Sequence, residues 1–157
     1  MQEKPTPSLD EVLKVTEAVI QSCQSIVTCT QCKIGPVDIV SILSVFQQTA
    51  SCFNHIVNST VDGTINLDVG GYKVNLMGDI LFKRLLIVNL VRQANAMLDS
   101  LTSLGQGQFL SPQTQTREHR SPACLNQLNT SYLREVVNSF KGFFRLITDA
   151  YDDIEVK

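Results

Sequence analysis

The chain has no tryptophan, only two histidines and few charged residues, which make up 18% of its 157 positions. Thirteen Lys and Arg stand against fifteen Asp and Glu, which gives a net charge of −2. A domain that binds the phosphate backbone of DNA needs a clustered excess of basic side chains, and the sequence shows no such cluster. We therefore expect no direct nucleic-acid contact by this chain.

Long hydrophobic runs are missing as well. The most apolar stretch spans residues 80–101, and charged side chains interrupt it at Lys83, Arg84, Arg92 and Asp99, so it does not reach the length of a membrane-spanning segment. Residues 1–7 are polar and lack the apolar core of a signal peptide. These features predict no membrane partner and an intracellular location, in which the cysteines would stay reduced.

Sequence signatures of catalysis and of nucleotide binding are absent. No Gly-x-Ser-x-Gly turn is present for a hydrolase nucleophile, and only His55 of the two histidines falls inside a predicted helix. Gly70 and Gly71 precede a helix, but the spacing of a dinucleotide-binding loop and the Gly-Lys-Ser/Thr ending of a phosphate loop are both missing. The sequence therefore favours a protein that is not an enzyme and predicts no cofactor.

The cysteines allow two interpretations. A zinc site can be assembled from Cys29-x2-Cys32 and Cys52-x2-His55, because both pairs have an accepted ligand spacing. The second pair would lie in the middle of a helix, however, and nothing in the sequence forces it toward the first. We favour the simpler interpretation, in which Cys23 packs as a small apolar side chain, Cys29 and Cys32 lie at the corner between the first two helices, and no metal is bound.

What the chain does contain is hydrophobic residues, at 43% of the sequence, arranged with helical spacing in four stretches. A capping-box pattern starts the first stretch at Ser8, Pro36 starts the second, and Gly105 ends the third. The first helix begins at Ser8, the second spans residues 36–57, the third spans 78–104, and the fourth begins after 122 or near 130 and reaches 151. The third has the widest apolar face, which indicates contact with neighbours on more than one side. This pattern predicts an all-α fold, a compact bundle of about four helices in one domain covering residues 1–157.

Two segments depart from the helical pattern. In residues 58–78, apolar and polar side chains alternate on both sides of Gly70 and Gly71, which predicts a short extended arm or hairpin between the second and third helices. Residues 105–122 are rich in Gly, Gln, Ser, Thr and Pro and predict a mobile polar loop.

Aromatic residues supply the remaining candidates for a site. Most aromatic side chains of the last helix recur at helical spacing and are expected in the core, whereas Tyr132 and Phe143 fall outside that stripe and could line a pocket or interface. With His55 and Tyr72 they form our set of candidate ligand-binding or interface residues. No catalytic residue is proposed.

Two short motifs resemble the regulatory region of fungal zinc-cluster transcription factors of the aflatoxin regulatory protein type. The first is Cys23-Gln-Ser-Ile-Val-Thr-Cys29-Thr-Gln-Cys32, followed by a long apolar helix. The second is Val69-Gly70-Gly71-Tyr72-Lys73-Val74, which precedes another long helix. The resemblance covers residues 12–104, and its structural motif residues are Cys23, Cys29, Cys32, Gly71 and Tyr72.

The resemblance implies a regulatory or interaction domain that acts through a protein partner, either a co-regulator or a second copy, in the nucleus. The DNA-binding zinc cluster of such factors needs six closely spaced cysteines among basic residues, and that module is absent here. An alternative is a stand-alone helical protein, in the cytoplasm, that binds or transforms an apolar, polyketide-like metabolite. In either case we expect Gly71 to adopt a conformation that favours glycine, and Tyr72 to be buried between the second and third helices.

Overall fold

The computed structural model describes residues 5–59, 66–75, 80–109 and 123–152, which form five helices and one hairpin. The helices are α1 (Leu9–Val27), α2 (Pro36–Gln47), α3 (Thr49–Asn58), α4 (Ile80–Phe109) and α5 (Ala123–Asp152), and the strands are β1 (Asn66–Val69) and β2 (Tyr72–Asn75). The helices pack together as one bundle with a shared hydrophobic core. The predicted all-α bundle is confirmed.

Helix α1 begins with the capping box that the sequence predicts. The backbone N–H of Ser8 donates to Oε2 of Glu11 over 3.1 Å, which satisfies an amide that the helix itself leaves without a partner. A hydrogen bond with Ser8 lowers the pKa of the Asp10 carboxyl, and the positive charge of Lys14 contributes in the same direction. One stripe of α1 is buried against the bundle, and it contains Leu9, Val12, Thr16, Ile20, Cys23 and Val27.

The predicted second helix is two helices, so that prediction is wrong in its continuity. Helix α2 ends at Gln47 and α3 begins at Thr49. The buried hydroxyl of Thr49 donates to the carbonyl oxygen of Phe46 over 2.6 Å, and such a bond from a Ser or Thr side chain competes with the helical hydrogen-bond ladder. Phe46 and Phe53 are both fully buried in the core.

Helix α4 packs against α1, α2 and α5, which confirms that its wide apolar face contacts more than one neighbour. The predicted stop at Gly105 is wrong, because α4 continues to Phe109. Gly105 is buried, and Leu104 and Gln108 border the corner between α1 and α2, so tertiary contact outweighs the low helix propensity of glycine there. The rest of the predicted loop, residues 110–122, lies outside the described residues. Helix α5 begins at Ala123, the earlier of the two predicted starts.

Phenylalanine rings fill the centre of the interface between α5 and the α2–α3 pair. Phe46 and Phe140 have ring centroids 4.7 Å apart, and Phe53 meets Phe144 nearly edge to face at 4.8 Å. Such tilted pairs stabilise beyond the burial of their apolar area. This cluster fixes the position of α5, and therefore of the side chains that α5 presents beside it.

The two strands form an antiparallel hairpin in which Val69 pairs with Tyr72 across the turn. Gly70 and Gly71 have φ angles of 58° and 87°, a conformation that L-amino acids with a side chain rarely adopt. The prediction for Gly71 is confirmed. The prediction that Tyr72 is buried is wrong, because its side chain is 79% exposed. The ring lies on the hairpin surface, where no helix covers it.

The corner between α1 and α2 contains a disulfide between Cys29 and Cys32, whose Cα atoms are 5.4 Å apart. The expectation that all cysteines stay reduced is therefore wrong at these two positions. Only two residues separate the cysteines, and the turn after Val27 brings them within the Cα distance that a disulfide requires. Cys23 remains a free, buried thiol, as the sequence predicts, and burial raises its pKa.

Candidate functional site

A groove of about 420 Å³ runs between α5 and the α2–α3 pair, and we call it the α5 groove. Its residues on α5 recur at helical spacing, so they lie on one face of that helix. Its lining consists of Gln47, Ala50, Asn54, Tyr132, Glu135, Val136, Ser139, Phe140 and Phe143. The volume lies within the range of small-molecule sites in proteins.

The floor of the α5 groove is apolar and its rim is polar. Val136 and Phe140 are buried, and Phe140 is held by the ring cluster behind it. At one end, the Tyr132 hydroxyl donates to Oε1 of Gln47 over 2.7 Å. This hydrogen bond links α5 to the end of α2, so the two walls of the groove are joined at that end.

Among the described residues, Glu135 is the only charged one in the lining of the α5 groove. Its carboxylate has no hydrogen bond or ion pair within the described part of the chain. Within the described part of the chain, no histidine lines the groove, and the Glu135 carboxylate is the one candidate for a general base in the lining beside Ser139. The arrangement suits binding by contact and charge, and it lacks the paired nucleophile and base of a hydrolase.

A second groove, of about 500 Å³, lies between α1 and α2, and we call it the α1–α2 groove. Its walls are mostly aliphatic, and among the described residues no charged side chain lines it: Val15, Ala18, Val19, Ser22, Cys23, Ile26, Ser41, Ile42 and Val45. Val45 is 52% exposed, and Val15 and Ile26 are exposed beside it. Val37, two turns before Val45 on α2, is 77% exposed and does not line the groove.

The predicted site residues fall into separate places. Tyr132 and Phe143 both line the α5 groove, and they lie three turns apart on α5. His55 follows the groove residue Asn54 on α3 but does not line the groove, and Tyr72 lies on the hairpin. The structure therefore brings together two of the four candidates.

The alternative zinc set also does not form one cluster. Cys29 and Cys32 are joined to each other at the α1–α2 corner, whereas Cys52 and His55 lie on α3. Among the described residues, no three His, Cys, Asp or Glu side chains come close enough to hold a metal ion.

Sequence reasoning missed Glu135 and the aliphatic residues of the α1–α2 groove. In the sequence, Glu135 resembles an ordinary solvent-exposed charged residue, because the nearby residues Arg134 and Asn138 are also polar. Val15 and Val45 could have been recognised from the sequence, because each lies beside the buried stripe of its helix and makes the apolar face of that helix wider.

No helix in the described residues is long and apolar enough to cross a membrane. Comparison of the chain with family models, with curated proteins and with solved structures found no match.

Proposed function

We propose that the chain is a regulatory interaction domain that binds a protein partner, similar to the regulatory region of fungal zinc-cluster transcription factors of the aflatoxin regulatory protein type. It would act in the nucleus without contacting DNA itself. The proposal is supported by the cysteine and Gly-Tyr motifs quoted above and by the bundle of helices in which they occur.

The α1–α2 groove is the observation that carries this proposal. Exposed valine and isoleucine side chains on two adjacent helices form one apolar surface, and such surfaces mark sites of association. Because no charged side chain lines the groove, its partner should present an aliphatic helix face, which packs into a groove through side chains at positions i, i+3 and i+4. A co-regulator helix fits this description.

The test is to tether the full chain to a heterologous DNA-binding domain in a filamentous fungus that carries a matching reporter gene. Val45→Asp places a charge in the groove, and Leu146→Asp places the same charge on α5, where Leu146 is 69% exposed. We expect the tethered chain to change transcription, Val45→Asp to abolish that change, and Leu146→Asp to preserve it. Equal effects of the two variants, or no transcriptional change by the tethered chain, would overturn the proposal.

Self-association through the same groove is distinguished by sedimentation velocity on the purified chain. A dimer that Val45→Asp dissociates and Leu146→Asp does not would identify a second copy as the partner. A monomer in all three samples leaves the co-regulator helix as the occupant.

A second candidate function is binding of a small apolar molecule of polyketide-like character in a biosynthetic pathway, in the cytoplasm. The specific observation in its favour is the α5 groove, which has an aromatic floor, a volume of about 420 Å³ and a polar rim. These are the general properties of ligand sites. Saturation-transfer NMR with aromatic probes on the wild type and on Phe143→Ala tests this candidate, which fails if no probe contacts the groove.

A further inference from the structure

We propose that the α5 groove binds a small cationic molecule in which a protonated amine is attached to an apolar ring. This inference rests on the second candidate function, binding of a small molecule in this groove, and it adds the charge and layout of the ligand. It is independent of the α1–α2 groove.

The charge requirement follows from Glu135. Its carboxylate is on the wall of the groove, has no hydrogen bond or ion pair in the described part of the chain, and is accompanied by no Lys, Arg or His side chain in the lining. A carboxylate that borders apolar surface attracts a cation and repels an anion. Glu135 is exposed to solvent, so a neutral ligand leaves this charge to water and gains no attraction from it.

The aromatic side chains add to the preference for a cation. Tyr132 precedes Glu135 by one helical turn on the same face of α5, and the faces of aromatic rings attract ammonium groups. The Tyr132 hydroxyl already donates its proton to Gln47, so its oxygen is left as an acceptor. An ammonium group has three donors and can reach both this oxygen and the Glu135 carboxylate.

The layout of the ligand follows from the spacing on α5. Phe143 lies eight residues after Glu135, about 12 Å farther along the helix axis, and the groove residue Ser139 lies four residues from each of them on the same helix face. An amine held at Glu135 therefore places an attached ring over Ser139 and toward Phe143. One or two fused rings joined to the amine by a short linker match this distance.

The test uses three probes of nearly equal shape: 2-naphthylmethylamine, which is protonated at neutral pH, 2-naphthylmethanol and 2-naphthoate. Each is titrated into the full ¹⁵N-labelled chain, and the backbone amide shifts of Ser139 and Asn54 report binding in the groove. We expect the amine to bind about fivefold more tightly than the alcohol, the ratio that a partly exposed ion pair supplies. The carboxylate probe should bind most weakly, and high salt should reduce the preference for the amine.

Glu135→Gln should make the affinities of the amine and the alcohol equal. The matched control is Asp149→Asn, which removes an exposed carboxylate from the same helix outside the groove and should preserve the preference. Equal affinities for amine and alcohol in the wild type would overturn the charge inference and leave small-molecule binding standing. If no probe shifts these amides, both the inference and the second candidate function are wrong.

Discussion

Phe53 is fully buried on α3 and meets the ring of Phe144 at 4.8 Å. Removing its ring leaves a cavity in a packed aromatic cluster, so Phe53→Ala should lower the free energy of unfolding by about 3–5 kcal/mol. Urea denaturation followed by circular dichroism measures the change.

Tyr72→Ala is the matched control at the residue scale. The Tyr72 ring is exposed on the hairpin, so its removal should change the free energy of unfolding by less than about 0.5 kcal/mol. A loss as large as that of Phe53→Ala would mean that Tyr72 packs against the bundle in solution.

At the scale of single elements, Gly142 is an unfavourable residue in an otherwise regular helix. It lies inside α5, and a Cβ atom added there would meet no other atom within 4 Å. Gly142→Ala should therefore raise the free energy of unfolding by about 0.5–1 kcal/mol, because alanine loses less backbone entropy in a helix. Thermal denaturation measures the gain.

Gly71→Ala should have the opposite effect on stability, because it should weaken the hairpin. Space around Gly71 is open, but its φ angle of 87° is strained for alanine, so the turn should be weakened. Faster hydrogen exchange at the strand amides, with little change in the unfolding of the helices, is the expected result. Destabilisation by Gly142→Ala, or unchanged exchange in Gly71→Ala, would contradict this contrast.

The first turn of α1 should make stability depend on pH. The pKa of Asp10 is lowered by its hydrogen bond with Ser8, so the folded state binds the proton less readily than the unfolded state. The stabilisation is present above the ordinary pKa of 3.8 and is lost as pH falls through the lower folded value. Asp10→Asn should thus cost on the order of 0.5 kcal/mol at neutral pH and little in strong acid.

Urea denaturation of Asp10→Asn and wild type at neutral and strongly acidic pH tests this dependence. Glu17→Gln, in the middle of α1, is the control, because the helix dipole acts only within the first and last turns. A cost for Asp10→Asn that is the same at both pH values would argue against the capping interaction as its source.

For the molecule as a whole, the Cys29–Cys32 disulfide is expected to contribute modestly to stability. It closes a loop of very few residues, for which the chain-entropy relation gives about 2 kcal/mol. Denaturation with and without dithiothreitol should show this loss, and the double variant Cys29→Ser, Cys32→Ser should match the reduced wild type. A wild type that dithiothreitol does not affect would mean that the bond is absent in solution or does not stabilise the fold.

The sequence was sufficient to predict the helical bundle, because an apolar stripe at 3.6-residue spacing, such as that of α1, matches an α-helix and not a strand. It could not show the break at Gln48, where the backbone N–H donates to the carbonyl of Val45, three residues back, over 3.2 Å. The continuation of α4 through Gly105 depends on contact with the α1–α2 corner, which local propensity does not contain.

The candidate site was partly predictable for a similar reason. Tyr132 and Phe143 stand off the apolar stripe of α5, and that position alone indicated a surface role. Glu135 could not be recognised, because its lack of a hydrogen-bond or ion-pair partner depends on how α2, α3 and α5 lie around it in three dimensions. Tyr72 was placed wrongly, since alternation in a strand predicts which residues share a face and does not say whether a helix covers that face.

The two grooves lie on different sides of one helix, since α2 provides Val45 to the α1–α2 groove and Gln47 to the α5 groove. Variants in one groove can therefore be tested without removing a side chain from the other. Helix α2 also contacts four other helices, α1, α3, α4 and α5.

The disulfide has a mechanical consequence. Three extended peptide units would span about 11 Å between its Cα atoms, whereas the bond holds those atoms 5.4 Å apart. A chain pulled from its two ends would lose only a few ångströms of its extended length to this bond. An unfoldase that draws polypeptides through a narrow pore would meet only a short disulfide-closed loop at the α1–α2 corner. That loop encloses none of the helices.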